Sequence, residues 1–254
     1  MNQFIFGIHA VCETLKLRPK DVAHIIIIKE RLSSLVEIVR LAEKNQVPIS
    51  SYKKEEWMKW VQRQVSHFKE EMSHQGIVAQ VKSQKAISLE EVLDHLKEKN
   101  ELGLILVLDE ITDPQNLGAL IRTAACAKAH AVVIPERGAA QVTSVVTKVA
   151  QGGVEHVVVC GVSNINYALE KLKNRGFWVM GLDAKAEVSL FDMDAHQSLA
   201  LVIGNEESGL RRLVREKCDL LVKIPMPGAM DSLNASTAGG IALFEVVRKR
   251  LKKS

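Results

Sequence analysis

The sequence predicts an α/β protein in two parts, a small sandwich over residues 1–83 and a larger, mostly parallel sheet covered by helices over residues 102–254. Three observations carry this reading. Short apolar runs alternate with stretches of helical periodicity along the chain, the pattern that βα units produce. The polar stretch Lys82-Ser83-Gln84-Lys85 interrupts that alternation. Beyond it, hydrophobic strands run straight into loops rich in Gly, Pro, Asn and Ser, where open parallel sheets carry their ligands.

In the first part the predicted order is a helix over 9–16, a strand over 24–28, a helix over 33–45, a strand over 47–50, a helix near 55–64 and a strand over 77–81. Ile25-Ile26-Ile27-Ile28 is a continuous apolar run, suited to a buried strand. Leu35, Val36, Ile38, Val39, Leu41 and Ala42 recur at helical spacing and mark an apolar stripe. Residues 84–101 read as a linker holding a short charged helix, whose start, Ser88-Leu89-Glu90-Glu91, has the pattern of a capping box. The second part then gives strands over 104–108, 131–134, 156–159, 177–181, 199–203 and 220–224. Its helices fall near 117–129, 142–151, 164–175, 211–217 and 234–252.

With 254 residues, 47% of them hydrophobic, the chain fills a real core, which excludes a disordered tail protein. No run of eighteen apolar residues occurs, and Met1-Asn2-Gln3-Phe4-Ile5-Phe6 lacks the order of a secretory signal, so a cytoplasmic protein without a membrane partner is expected. Cys12, Cys126, Cys160 and Cys218 form no CxxC pair and sit in apolar stretches, where a thiol acts as a small buried hydrophobe. The histidines show no HExxH spacing, so no metal is expected. Residues 1–83 carry 13 Lys+Arg against 9 Asp+Glu, which is the whole of the net charge of +4. A polyanion partner and plain solubilisation fit that excess equally.

Three loop motifs stand out, and neither GxGxxG nor a P-loop is among them. The first runs from Leu108 to Ala124. In it Asn116 can cap the following helix, and Arg122, six positions on, could lie on the same side of the strand end. An Arg between Ile121 and Ala124 needs an anionic or polar receiver; Asp109 and Glu206 are the structural candidates. The second, Ile203-Gly204-Asn205-Glu206-Glu207-Ser208-Gly209-Leu210, is an acidic turn bracketed by glycines. The third runs from Val222 to Ala242. Ser232 or Asn234 caps its helix, and Gly239-Gly240 within that helix suggests tight packing.

The order D-P-x-N-x-G-x-x-x-R-T-A, I-G-x-E-x-x-G-L and I-P-M-x-G-x-x-x-S-L-N-x-S resembles the three motifs of the SpoU/TrmH class of SPOUT RNA 2′-O-ribose methyltransferases, over about residues 102–252. The first third resembles the ribosomal-protein-L30e-like substrate-binding domain of the family's bacterial 23S rRNA guanosine methyltransferases, in Phe6-Gly7-Ile8-His9-Ala10-Val11 and His74-Gln75-Gly76-Ile77-Val78-Ala79. The resemblance implies a C-terminal trefoil knot, a homodimer, ribosomal RNA as partner and S-adenosylmethionine as cofactor. It places Asn116, Arg122, Glu206, Ser232 and Asn234 in the catalytic set, and Gly204, Ile224 and Leu233 against the cofactor. Two departures from its pattern are Lys128, where Gly is more usual, and the run from Ala235 to Gly240.

A ribose hydroxyl is a poor nucleophile, so the expected chemistry is in-line orientation with help in removing its proton. Arg122 would stabilise the developing alkoxide, while Asn116 and Glu206 fix the guanidinium and the ribose. Alternatives within the same chemistry are a transfer RNA target or an antibiotic-resistance methylation of ribosomal RNA. Outside it stands an RNA-binding assembly protein that has no need of Arg122, Glu206 and Asn234 together.

Overall fold

The computed structural model describes residues 2–65, 68, 74–82, 86–230 and 232–251. They form two units, Met1–Lys85 with Thr143–Glu155, and Ala86–Val142 with His156–Ser254.

The first unit begins with β1 (Asn2–Phe6), α1 (Ile8–Leu17), β2 (Val22–Ile28), α2 (Val36–Lys44), β3 (Ile49–Tyr52), α3 (Lys54–Gln64) and β4 (Ile77–Lys82). Its sheet has the order β1-β4-β2-β3, with β2 parallel to β3 and β4 antiparallel to both of its neighbours. The isoleucine run explains the layering. Ile25 and Ile27 enter one core with Leu15, Leu35 and Ile38, while Ile26 and Ile28 enter a second with Trp57 and Val61. A strand apolar on both faces thus takes helices on both sides. The helix expected from residue 33 starts only at Val36, because a 3₁₀ turn occupies 29–34, and Val36 itself is exposed.

The second unit comprises α4 (Leu89–Lys99), β5 (Leu104–Leu108), α5 (Pro114–Cys126), β6 (Ala131–Pro135), β7 (Val158–Val162), α7 (Ile165–Asn174), β8 (Trp178–Leu182), β9 (Val188–Ser189), β10 (Leu199–Ile203), α8 (Arg212–Lys217), β11 (Leu220–Lys223) and α9 (Ala235–Leu251), whereas α6 (Ser144–Val149) falls in the first unit. Its sheet has the order β7-β6-β5-β10-β8-β11-β9, and every pairing is parallel. β5 and β10 are neighbours, with Leu108 opposite Ile203. The loops that follow them therefore leave side by side from the carboxyl edge.

Two expectations about organisation change. The helix placed in a linker over 84–101 is α4, an integral part of the second unit: Leu89, Val92, Leu93 and Leu96 are buried in that unit's core. Its capping box is formed, the Ser88 hydroxyl accepting from the Glu91 N–H at 3.2 Å and Glu91 accepting from the Ser88 N–H at 2.7 Å. The helix expected over 142–151 belongs with the first unit. Glu155, which ends this segment, is nearly buried and accepts from Arg18 Nε at 2.6 Å, Arg18 Nη2 at 2.8 Å and the Thr14 hydroxyl at 3.2 Å. Of the cysteines, Cys12 and Cys160 are buried, Cys218 is half-buried and Cys126 is exposed rather than buried.

Candidate active site

Asn116 lies in the first turn of α5 and is buried. It does not cap that helix. Asp113 does, its Oδ1 accepting from the Gln115 N–H at 3.0 Å with Pro114 at the first helical position. The Asn116 side chain is left to reach across to the neighbouring loops. Its Nδ2 donates to Glu206 Oε1 at 2.6 Å, and its Oδ1 accepts from Asn234 Nδ2 at 2.9 Å. Asn234 is itself the cap of α9, Oδ1 accepting from the N–H groups of Ser236 at 2.9 Å and Thr237 at 3.3 Å. Both amide oxygens are engaged as acceptors, so both NH₂ groups point onward as donors. A directed relay results, from the start of α9 through Asn234 and Asn116 to the Glu206 carboxylate. The other oxygen of that carboxylate has no protein partner among the described residues.

Glu206 sits in a turn that only glycine permits. A Cβ on Gly204 would lie 2.2 Å from the carbonyl carbon of Gly209, closer than atoms pack. The turn therefore folds back on itself, with Asn205 N–H donating to Gly209 O at 3.0 Å and Gly209 N–H to Asn205 O at 2.9 Å.

Beside this turn is a cavity of about 430 Å³, within the roughly 300–1,000 Å³ usual for small-molecule sites. Gly204, Ile224 and Leu233 line it, as do Glu206 and Ser232. Leu182, Ile203, Leu210, Val222 and Met226 give it apolar walls, and Asp183, Lys185 and Arg215 give it charge. The walls suit an aromatic base, and mixed charges suit a zwitterion that also carries a sulfonium. S-adenosylmethionine has that composition.

Of the eight site residues expected from sequence, five line the cavity and Asn116 and Asn234 are hydrogen-bonded to it through Glu206. Arg122 stands apart. It is exposed and makes no hydrogen bond or ion pair among the described residues. Six residues at 100° each leave it about 120° around the helix from Asn116, so the expectation of a shared side does not hold. Neither structural receiver takes it either, since Asp109 pairs with Arg211 and Glu206 with Asn116. The close packing expected at the glycine pair is present at Gly239, where a Cβ would lie 2.4 Å from Leu120 Cδ2.

A family model described as the SpoU rRNA Methylase family matches residues 103–244. The chain belongs to the SpoU rRNA methylase family. A second model, described as RNA 2′-O ribose methyltransferase substrate binding, matches residues 4–86. Among SpoU relatives, the 23S rRNA (guanosine-2′-O-)-methyltransferase RlmB of Pseudomonas putida is 43% identical over 251 residues, covering 98% of this chain and 97% of its own. RlmB of Vibrio vulnificus is 38% identical over 250 residues, covering 98% of each chain. In fold the chain is similar to the SpoU methyltransferase AviRb from Streptomyces viridochromogenes, solved in complex with the cofactor AdoMet, at a TM-score of 0.78 and 24% identity, covering 99% of this chain and 91% of that one.

Sequence reasoning misses the part of the SpoU cavity contributed by the end of β8. Leu182, Asp183 and Lys185 line it, and Asp183 Oδ2 holds Arg215 Nε at 2.7 Å. A signal exists: an apolar strand ending in Asp at the carboxyl edge of a parallel sheet is where a ligand group is expected.

Proposed function

We propose that this chain transfers a methyl group from S-adenosylmethionine to the ribose 2′-hydroxyl of a guanosine in 23S ribosomal RNA, in the cytoplasm. The observation that carries this is the directed relay ending on Glu206 at the wall of a cavity that fits the cofactor. The relatives at about 40% identity over nearly the whole chain select the RNA and the nucleoside. Gly204, Ile224 and Leu233 would hold the cofactor, chiefly through backbone groups, with the chain threaded as a trefoil knot around it. When bound, S-adenosylmethionine supplies an electrophilic methyl on its sulfonium. Glu206, oriented by Asn116, accepts a hydrogen bond from the ribose hydroxyl on its free oxygen and takes up the proton that the hydroxyl gives up on methylation, and Ser232 adds a hydroxyl at the same wall.

Arg122 enters this scheme from a second copy of the chain. An exposed, unpaired guanidinium on α5 is poorly placed for its own cavity but available to a partner, and Phe244 on α9, the helix packed against α5, is about half exposed. In a homodimer Arg122 of one subunit then stabilises the alkoxide in the other subunit's site. The first unit serves as an L30e-like RNA-binding domain. Lys29 and Arg31 follow β2, Lys53 and Lys54 precede or open α3, and none of the four forms an ion pair among the described residues. Parallel β2 and β3 place these groups at one sheet edge with Gly76, a Cβ on which would lie 3.0 Å from Arg31 Cγ.

The test is methyl transfer to undermethylated 23S ribosomal RNA with purified chain, the product mapped by reverse-transcription stops. A fall of the guanosine 2′-O-methyl transfer rate to a small but measurable remainder in Glu206→Gln supports the reading, and wild-type transfer overturns it. Mixing Arg122→Ala with Glu206→Gln protomers should restore activity if the arginine acts across a dimer, because one intact site forms per mixed pair. No restoration would place Arg122 in its own subunit's site.

A further inference from the structure

The turn that carries Glu206 is mounted at both ends on residues 109 and 110. Its entry is held by Asn205 Nδ2, which donates to the Glu110 carbonyl at 2.9 Å. Its exit is held by Arg211. The Arg211 N–H donates to Asp109 Oδ2 at 3.0 Å, Arg211 Nε to Asp109 Oδ1 at 2.8 Å, and Arg211 Nη1 pairs with Glu110 Oε1 at 2.8 Å. We propose that Arg211, with Asp109 and Glu110, is a positioning device that sets the Glu206 carboxylate against Asn116. The proposal rests on the methyl-transfer reading above, in which Glu206 meets the ribose.

Four features favour positioning over simple support. The turn is rigid in itself, because Asn205 and Gly209 exchange backbone hydrogen bonds and Asn205 Oδ1 also accepts from the N–H groups of Glu207 at 3.0 Å and Ser208 at 3.3 Å. A rigid turn moves as one piece, so its two mounts fix where Glu206 points. Both mounts lie on the loop that leads, through Asp113, into the helix carrying Asn116. The partners in the 2.6 Å hydrogen bond are thus referenced to the same two residues, Asp109 and Glu110. Asp109 is fully buried, and a buried carboxylate that loses its partner is left uncompensated in the interior, so the pairing with Arg211 is enforced. Finally, Glu110 adopts a left-handed backbone at φ +62°, a conformation non-glycine residues avoid unless their surroundings enforce it. That backbone aims its carbonyl at Asn205 while its carboxylate turns to Arg211. Arg211 also offsets acidic charge in loops that hold Asp109, Glu110, Glu206 and Glu207.

The test is a double-mutant cycle on kcat with the full chain, S-adenosylmethionine and undermethylated 23S ribosomal RNA. Arg211→Lys keeps the charge but loses the fork. A misplacement of about 1 Å costs up to about 100-fold, so kcat should fall by about 10- to 100-fold at saturating substrates. The dissociation constant for S-adenosylmethionine alone should change by less than kcat does, although the same turn also lines the cavity. In the Glu206→Gln background the same substitution should cost less than about twofold, because residues that act through one another are not additive. Equal losses in both backgrounds, or a loss confined to cofactor affinity, would overturn the proposal. Should Arg211→Lys not fold, Glu110→Ala removes only the outer arm and reads the same cycle with a smaller expected loss. Wild-type kcat in Glu206→Gln alone would remove the site assignment itself, which is distinguishable from failure of the mount.

Discussion

Asn116 has one amide and two partners, and both hydrogen bonds must be kept for Glu206 to stay oriented. Asn116→Asp, which replaces the donor by an oxygen facing a carboxylate, should lower kcat by at least about 10-fold with the fold retained, measured by methyl incorporation beside a thermal melt. Gly204→Ala should cost about 3 kcal/mol or more locally and abolish S-adenosylmethionine binding in a calorimetric titration, because the new carbon overlaps the Gly209 backbone. At this scale the motifs are legible wherever backbone geometry demands a particular residue, as at Gly204 and Gly239. Pairings between loops are not. Nothing in the spacing of Asp109 and Arg211 separates that pair from Asp109 and Arg122, and only the folded loops decide it.

The elements that read most clearly are those buried on all sides. β5, β6 and β10 are fully buried five-residue strands, and their apolar runs are visible without ambiguity. β1 and β9 escape prediction: β1 opens with the polar pair Asn2-Gln3, and β9 has only two residues. α4 reads as a linker because its charged face outnumbers Leu89, Val92, Leu93 and Leu96, although these four fall at helical spacing. Lys128 follows α5 at φ +55°, the left-handed conformation that explains why glycine is usual there. The packing of α9 on α5 gives a prediction at this scale. Gly239→Ala should destabilise by about 1–3 kcal/mol, as Leu120 must move, whereas Gly240→Ala should be tolerated, its nearest neighbour being Thr123 Cγ2 at 3.7 Å. Thermal melts of the two variants compare them directly.

For the molecule as a whole, acid should weaken the fold through its histidines. Burial holds His24 and His130 below the ordinary 6.5, and burial together with the nearby Lys54 and Arg31 charges does the same for His74. The unfolded chain takes up these protons near 6.5 while the folded chain resists, so stability is full above that value and falls as pH drops below it. Urea midpoints at pH 7.5 and 5.5 should show the decline, and His130→Gln should make it shallower. RNA affinity should depend on salt, and replacing Lys29, Arg31, Lys53 and Lys54 by Ala should flatten the log–log slope by about 0.7–0.9 for each phosphate that is no longer neutralised. The grouping of Thr143–Glu155 with the first unit bears on any attempt to divide the protein. A fragment ending at residue 85 would carry Arg18 and Thr14 but leave behind the carboxylate that both of them hold. The two units are thus interleaved along the polypeptide, and a ribosome must synthesise past β6 before the first of them can be finished.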